Sequence, residues 1–247
     1  MSSPLSAAIA SRACSALPSI ARACGRSASP AAVSGLLRGR LAIGFVQPLP
    51  DRRFTGLAGA FHREHPGIEL RLIEDETDAL LAGLKAGELD AVLIGLGSYD
   101  RLPPDVSSRL VAREPAVAVV YPGHPLAGRG AIALSALRDS PMVALTSSSR
   151  QRSNLEAACR AAGFAPQIVA ETSDLGVTVE LIRQQIGVAI LPQSALEGVT
   201  TVVPLALTRP KLDRRILLTW RPGSNPPAVR AFLAMAQHHL AAPSAPD

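Results

Sequence analysis

The chain has 247 residues, of which 47% are hydrophobic and 18% are charged. This balance suits one large or two small folded domains and excludes disorder over the whole chain. No stretch approaches the roughly 18 to 20 uninterrupted apolar residues that a membrane span requires. Aromatic residues make up only 3%, which argues against a stacking platform for single-stranded nucleic acid.

The net charge of +5 arises at the N-terminal end of the chain. Of the 25 basic residues, five arginines precede the first acidic residue, Asp51, so residues 51–247 hold 20 basic and 20 acidic residues. This neutral body lacks the basic excess of a phosphate-binding surface. Cys14, Cys24 and Cys159 match neither a disulfide framework nor a zinc spacing, which favours a reducing cytoplasm.

Residues 1–38 are predicted to be an unstructured segment or the remnant of a linker. Residues 1–32 are rich in Ala, Ser, Arg and Pro without a sustained period, a composition similar to that of a transit peptide. A secretory signal fits less well, because serines and a proline interrupt the least polar stretch between Arg12 and Arg22. Residues 241–247 are predicted to be a tail.

From residue 41 onward the hydrophobic pattern predicts alternating strands and helices. Short apolar runs indicate the strands, and apolar residues at helical spacing indicate the helices. The predicted elements are a strand at 41–46, a helix from Asp51 to His65-Pro66-Gly67, a strand at 68–72, a helix from Thr77 or Asp78 to Gly87, and a strand at 91–96.

The same order of elements recurs once, and this recurrence is the most informative feature of the chain. The second set comprises a strand at 142–146, a helix from Ser149 to Gly163, a strand at 167–171, a helix from Ser173 or Asp174, and a strand at 188–191. The recurrence predicts an α/β fold of two lobes, each a parallel or mixed sheet flanked by helices.

The remaining apolar segments predict how the two lobes are connected. A strand at 116–121 crosses from the first lobe to the second, strands follow at 199–205 and 216–220, and Pro226 opens a terminal helix. The last strand and helix are expected to return to the first lobe. Lobe I is therefore predicted to comprise 39–115 and 209–240, and lobe II to comprise 116–208. Two crossing segments, near 112–118 and 205–208, make a hinge and leave a cleft.

Ligands of open parallel sheets bind beyond the carboxyl ends of the strands. This rule places the loops 46–49, 95–99, 146–151 and 171–174 in the cleft. Helix N-termini near Asp51, Ser149 and Asp174 would attract an anion. The hydroxyls of Thr146 to Ser149 could donate to a carboxylate, with Arg150 or Arg152 as charge partner. The alternative is helix capping and a flexible loop.

Catalytic, cofactor and metal patterns fail when their spacing is checked. The run from Gly95 to Asp100 begins like a dinucleotide fingerprint, but Asp100 stands at the third glycine. His62 and His65 lie at a helix end without a third ligand. Cys159 falls on a core face, and the acidic run 74–76 is expected to be a solvated loop. We therefore expect no enzyme, no cofactor and no metal.

At this point five motifs in the same order resemble the effector-binding domain of LysR-type transcriptional regulators. They cover about residues 33–240, and together they are more specific than any one alone. The motifs are the segment Gly39 to Gly44, the segment Phe61 to Leu70, the segment Leu84 to Ile94, the sequence His124-Pro125-Leu126-Ala127, and the segment Gly187 to Pro192.

The resemblance implies a two-lobed fold of the type 2 periplasmic-binding-protein kind, which senses a small anionic metabolite and dimerises. Carried over by position, the ligand-binding residues are Val46, Gln47, Pro48, Gly95, Leu96, Gly97, Ser98, Thr146, Ser147, Ser148, Ser149, Thr172, Ser173 and Asp174. The family often has a Ser or Thr in the first of these loops. The Gln47-Pro48 pair here implies a ligand other than the commoner aromatic acids.

One departure from the family concerns DNA. The family carries a winged helix-turn-helix ahead of this domain, whereas residues 1–30 show no pair of periodic helices joined by a turn. We expect DNA binding only if a helix-turn-helix is supplied elsewhere, a homodimer formed through helices of both lobes, no membrane partner, and a cytoplasmic location. The alternative function is a solute-binding receptor of a transporter, which would require an export signal.

Overall fold

A computed structural model describes residues 37–49 and 53–240. The predictions for residues 1–36, for the helix cap at Asp51 and for the tail at 241–247 lie outside the described residues. Within the described residues the chain is a mixed α/β structure, as the sequence predicts.

The first part of the chain folds as a strand-helix-strand-helix-strand unit. Its strands are β1 (Gly39–Phe45), β2 (Ile68–Glu74) and β3 (Ala91–Leu96), and its helices are α1 (Arg53–Glu64) and α2 (Thr77–Ala86). β1 lies between β2 and β3 and is parallel to both. α2 ends at Gly87, whose left-handed φ of 80° suits glycine because it has no Cβ.

The second part repeats this order. Its elements are β6 (Pro141–Leu145), α3 (Arg150–Ala161), β7 (Gln167–Thr172), α4 (Leu175–Arg183) and β8 (Ala189–Pro192). β6 and β7 pair in parallel, and the segment before β8 bridges to β6 through Met142 and Val188. β8 itself pairs antiparallel with β4 (Ser107–Val120), a long strand that runs from one region to the other. This region is therefore mixed rather than purely parallel.

The remaining elements join the two regions. They are β4 (Ser107–Val120), β5 (Ala131–Ile132), β9 (Val203–Leu207), β10 (Asp213–Trp220) and α5 (Pro227–His239), with short 3-10 helices at Ala127–Arg129, Leu134–Leu137 and Gln193–Leu196. Residues up to Pro115 of β4 pair with β10, and those from Ala116 onward pair with β8 and β9. Eight strands thus form one sheet in the order β2-β1-β3-β10-β4-β9-β5, with β8 also on β4.

The hydrophobic residues form separate cores on either side of this crossing. One core joins β1, β2, β3 and β10 to α1, α2 and α5, and we call this part lobe I. Two smaller cores lie among the second half of β4, β5 to β9, α3 and α4, and we call this part lobe II. In the structure β10 pairs with β3 and α5 packs on α1, so the last strand and helix belong to the lobe I core. The residue boundaries given above for the lobes stay a prediction.

Two strands differ from the sequence-based expectation. β4 begins at Ser107, well before the expected residue 116; its first half forms the edge of the lobe I sheet, where polar residues and Pro115 are tolerated. β9 begins at Val203 rather than at residue 199, because Gly198 adopts a φ of 75° in a turn and the chain bends before pairing. No helix in the described part of the chain is both long and apolar enough to cross a bilayer.

Candidate functional site

A cavity of about 570 Å³ lies between the two lobes. Lobe I contributes the loop after β1, the end of β2, the start of α2, and positions on β3 and β10. Lobe II contributes the starts of α3 and α4 and the short helix after β8. The cavity therefore occupies the carboxyl ends of the parallel strands, where open α/β sheets bind ligands.

The structure brings part of the predicted binding set to this cavity. The predicted residues that line it are Val46, Gln47, Pro48, Gly95, Ser149, Ser173 and Asp174. They come from all four predicted loops, so strand-end reasoning located the cavity correctly. Which of these residues contacts a ligand stays a prediction.

The other predicted residues lie elsewhere. Leu96 is fully buried in the lobe I core. Gly97 and Ser98 line a smaller pocket beside the main cavity. The remaining four, Thr146, Ser147, Ser148 and Thr172, are outside the lining of either of these two pockets. Thr146 and Ser148 hydrogen-bond to each other, and the Thr172 hydroxyl accepts from the Asp174 amide.

Three helix N-termini meet at the cavity. Ser149 caps α3 by accepting from the Gln151 amide, and Asp174 caps α4 by accepting from the Val177 amide. The third is α2, whose N-cap residue is Glu76, with no hydrogen bond from its side chain to the helix backbone. Thr77 fixes the start of α2, because its hydroxyl donates to the Gly95 carbonyl and accepts from the Gly95 amide. The positive ends of three helix dipoles thus converge on one space.

Arg214 of β10 is a cavity residue that the sequence reasoning missed. Its side chain is only 12% exposed, and its Nη1 lies 3.3 Å from Oε1 of the buried Glu114. The same Nη1 donates to the Pro48 carbonyl at 2.6 Å, and Nη2 donates to the Gln47 carbonyl at 3.2 Å. A Cβ at Gly95 would lie 2.6 Å from Nε, so glycine there makes room for the guanidinium. An arginine distant in sequence gives no local signal of this role.

The acidic run Glu74, Asp75 and Glu76 was expected to be a solvated loop. The structure corrects this expectation in part, because all three residues line the cavity while remaining water-accessible. They follow directly from β2, whose pairing with β1 carries them to the cleft. Gln47 donates to Glu74 at 3.3 Å.

The electrostatic environment of Glu76 shows how crowded this wall is. Partial loss of water inside the cleft raises the pKa of the Glu76 carboxyl above its ordinary value, and the charges of Asp75 and Asp78 raise it further. Arg214 and a hydrogen bond from Ser149 lower it, but they do not outweigh the desolvation and the neighbouring carboxylates. Burial is thus the main reason why this carboxyl holds its proton more tightly than an exposed glutamate does.

A second polar contact between the lobes lies beside the cavity. Arg150 of α3 donates from Nε and Nη2 to Asp78 at 2.9 and 2.6 Å, and from Nη1 to Asp100 at 3.4 Å. Asn154 donates to Asp100 at 2.6 Å and accepts from the Tyr99 amide at 3.0 Å. We call these five residues the interlobe clasp. Every contact in it joins a donor to an acceptor across the lobes.

Of the two arginines considered as charge partners for an anion, neither is free. Arg150 lines the cavity, but the clasp engages its guanidinium. Arg152 bonds instead to Glu156 at 2.6 Å, to Glu171 at 2.7 Å and to the Leu145 carbonyl, and it is outside the cavity lining. The arginines in the cavity lining are thus Arg150 and Arg214, and each is already paired with a carboxylate.

Among the described residues, the cysteine and histidine side chains are outside the cavity lining. Cys159 is fully buried in lobe II, where burial and the nearby Glu156 raise the pKa of its thiol to about 11. His62 lies in the last turn of α1, and His65 follows that helix directly. In the described ranges, no group of three or more His, Cys, Asp or Glu side chains could hold a metal ion.

Comparison with known protein families gives a match over almost the whole described chain. The model of the LysR substrate binding domain matches residues 34–241. A protein of Mycobacterium avium named "Probable hydrogen peroxide-inducible genes activator" is 32% identical over 204 residues, which is 81% of this chain and 64% of the relative. The protein of the same name from Mycobacterium leprae is 31% identical, and the match covers 87% of this chain and 71% of that relative.

Solved structures share the fold. The effector-binding domain of QuiR in complex with shikimate superimposes with a TM-score of 0.73 at 23% identity, over 83% of this chain and 98% of that one. The BenM effector-binding domain with benzoate superimposes with a TM-score of 0.67 at 19% identity, over 83% of this chain and 96% of that one. These are two-lobed, type 2 periplasmic-binding-protein-like domains, as expected for this chain.

The chain spans 64% of the length of the Mycobacterium avium relative. The similarity is therefore to one domain of a longer regulator. Since the family model accounts for residues 34–241 and the fold agrees with it, this chain belongs to the family of LysR substrate-binding domains.

Proposed function

We propose that this chain is the effector-sensing part of a LysR-type transcription regulator and that its effector is a small carboxylate bound in the interlobe cavity. The observation that carries the proposal is the convergence of the N-termini of α2, α3 and α4 on a cavity that Arg214 also lines. We call the part of the cavity next to Arg214 its floor. A negative ligand would be stabilised by these dipoles and by the guanidinium.

The hydrogen-bonding of Arg214 supports a direct contact with the ligand. The donors in use are Nη1 and Nη2, and Nε has no acceptor among the described residues. A guanidinium offers five N–H groups in a fork that fits a carboxylate. Two structural neighbours hold shikimate and benzoate, both carboxylates, which agrees with an acid as effector.

A regulator fits the comparisons better than either alternative function. Three relatives are named as a gene activator or as transcriptional regulators, and none of these three names describes a transport receptor. An enzyme is disfavoured because the residues lining the cavity include neither histidine nor cysteine to activate a nucleophile. We propose further that the protein acts in the cytoplasm as a homodimer through helices of both lobes, with DNA contacted by a helix-turn-helix outside this domain.

Two relatives are named as activators of hydrogen peroxide-inducible genes, and a reactive thiol is one group that could respond to peroxide. The properties of Cys159 do not support that role. A thiol with a pKa of about 11 stays protonated near neutral pH, and the protonated form is a poor nucleophile. In a variant with Cys14→Ser and Cys24→Ser, we expect Cys159 to react with iodoacetamide at pH 8 roughly a hundredfold more slowly than free cysteine does. Reaction as fast as that of free cysteine, followed by mass spectrometry, would contradict this account.

The proposed function is tested by calorimetric titration of the purified chain with a panel of small metabolites that includes carboxylates, amines and neutral compounds. We expect at least one carboxylate to bind. Arg214→Lys keeps the charge but loses the planar fork, so it should weaken binding about tenfold, the value of one charged hydrogen bond. Arg113→Lys is the matched control, because Arg113 is exposed and its ion pair with Asp213 is on the surface.

The proposal fails if cationic or wholly apolar compounds bind while carboxylates do not. It also fails if the two arginine variants weaken carboxylate binding equally, because Arg214 would then contribute no more than a surface residue.

A further inference from the structure

The cavity is lined by both hydrogen-bond donors and carboxylates. The starts of α3 and α4 and the guanidinium of Arg214 supply the donors. The residues at and after the end of β2 supply the carboxylates of Glu74, Asp75 and Glu76. Glu76 lies close enough to Arg214 and to the Ser149 hydroxyl for both to act on its carboxyl, so a small ligand could contact a donor and a carboxylate at the same time.

Among the described residues, the carboxylates at and after the end of β2 have no ion-pair partner. The clasp engages Arg150 with Asp78 and Asp100, and Glu114 pairs with Arg214. In the described ranges, no ion pair involves Glu74, Asp75 or Glu76. Asp174, on the lobe II side, is occupied as the cap of α4.

The cavity lining also includes a serine whose hydroxyl lacks a hydrogen-bond partner in the described part of the chain. Ser194 lines the cavity, and its Oγ is buried without a hydrogen-bond partner among the described residues. The Ser194 amide donates to Glu114 at 2.9 Å, which places this serine next to the ion pair of the floor. A buried hydroxyl left without a partner costs free energy that a bound polar group would recover.

We propose that the effector is an amino-acid-type zwitterion. Its acid group lies at the floor, against Arg214 and Ser194, and its ammonium group lies against the carboxylates of the β2–α2 loop, with Glu76 as the main contact. This inference rests on the proposed function, because it takes the same cavity as the effector site and adds the second charge of the ligand.

The reason for the second charge is the field of the lobe I wall. A ligand with an acid group alone would add negative charge to a cavity lined by three carboxylates that have no ion-pair partner among the described residues, and like charges repel. Burial is the main cause of the raised pKa of Glu76 and the charges of Asp75 and Asp78 add to it, so a nearby ammonium group would stabilise the ionised carboxylate. The protein should therefore bind an acid that lacks the ammonium group less tightly, because the carboxylates at and after the end of β2 would then have no partner in the ligand.

The experiment is calorimetric titration of the whole chain with the standard amino acids, each paired with the carboxylic acid of the same carbon skeleton without its amino group. We expect at least one amino acid to bind about tenfold or more tightly than its partner acid, the value of one charged interaction. Glu76→Gln should reduce this ratio about tenfold while the partner acid binds as well or better.

Glu69→Gln is the matched control, because it removes the same charge from an exposed residue near the other end of β2. If Glu76→Gln does not fold, Asp75→Asn replaces it, with thermal unfolding as the check. An unchanged ratio in the cavity variant, or an equal loss in Glu69→Gln, would overturn the inference.

Failure of this inference can be told apart from failure of the proposed function. If simple carboxylates bind and no amino acid binds more tightly than its partner acid, the zwitterion is wrong and the effector site stands. If no amino acid binds at roughly 10 mM, a concentration that detects even weak ligands, the zwitterion is also wrong. If only amines bind, both the zwitterion and the carboxylate effector are wrong.

Discussion

The two regions of polar contact between the lobes differ in how well their groups are matched. In the interlobe clasp each charged or amide group has a partner of opposite character, such as Arg150 with Asp78 and Asn154 with Asp100. In the cavity, Glu76, Ser194 and the Arg214 Nε lack comparable partners within the described residues. The matched groups join the two lobes, and the unmatched groups are our reason for proposing a ligand site in the cavity.

Close contacts between a glycine and a side chain occur in both regions. In the clasp, Asn154 approaches Gly97 so closely that a Cβ there would collide with its side chain. In the cavity, the corresponding close approach is between Gly95 and the Arg214 guanidinium. Both glycines therefore allow a close contact: Gly95, within β3, makes room for the Arg214 guanidinium, and Gly97, just after β3, makes room for Asn154 of the clasp.

The largest expected effect concerns the buried pair at the cavity floor. Glu114→Leu leaves Arg214 without its partner, and removing one member of a buried pair typically lowers the free energy of unfolding by about 3 to 5 kcal/mol. Urea denaturation measures this loss. The double variant Glu114→Leu with Arg214→Met should recover much of it, since no unpaired charge then remains. An equal loss in the double variant would show that the pair is not the cause.

A smaller effect is expected from breaking the clasp. Arg150→Met removes contacts to two carboxylates, of which Asp78 is 61% exposed, so solvent screening limits the loss of stability to about 1 kcal/mol. The larger consequence should be geometric, because fewer bonds then hold the lobes at this angle. Distances between spin labels on α2 and α3 should increase and broaden. Arg160→Met, farther along α3, is the control, and identical distributions would contradict the role of the clasp.

The smallest expected effect is a pH dependence of ligand binding. The raised pKa of Glu76 means that the folded chain holds this proton more tightly than the unfolded chain does, so its contribution to stability is present at low pH and is lost as pH rises through the raised value. The groups that act on it are Asp75, Asp78, Arg214 and Ser149.

A zwitterionic ligand binds more tightly when Glu76 is ionised. Its affinity should therefore rise by about a few-fold as the pH rises from the ordinary pKa of glutamate through the raised pKa of Glu76. Titrations at several pH values measure the slope, and Glu76→Gln should flatten it. An affinity that instead falls with rising pH would indicate a ligand without a cationic group.

The sequence predicted the architecture better than the chemistry of the site. Periodicity and helix caps such as Ser149, Asp174 and Gly87 are local signals, and the elements they predicted appear in the structure. The hydroxyl run was the strongest local candidate, yet only Ser149 of it lines the cavity. Ser147 and Ser148 are exposed, so Ser147→Ala should affect binding less than a change at Arg214.

Arg214 and Glu114 could not be predicted, because their pairing depends on the antiparallel register of β10 and β4. That register joins residues that are 100 positions apart, and no local period encodes it. The acidic run after β2 was visible in the sequence but looked like an ordinary solvated loop. Only the placement of β2 beside β1 shows that it faces the cleft.

The central claim is that the interlobe cavity binds the effector, and the most direct test is a crystal structure of the chain with the tightest-binding carboxylate from the titration panel. The account predicts ligand density between Arg214 and Ser194, with the acid group on the guanidinium. Ligand density elsewhere, with this cavity holding only solvent, would contradict it.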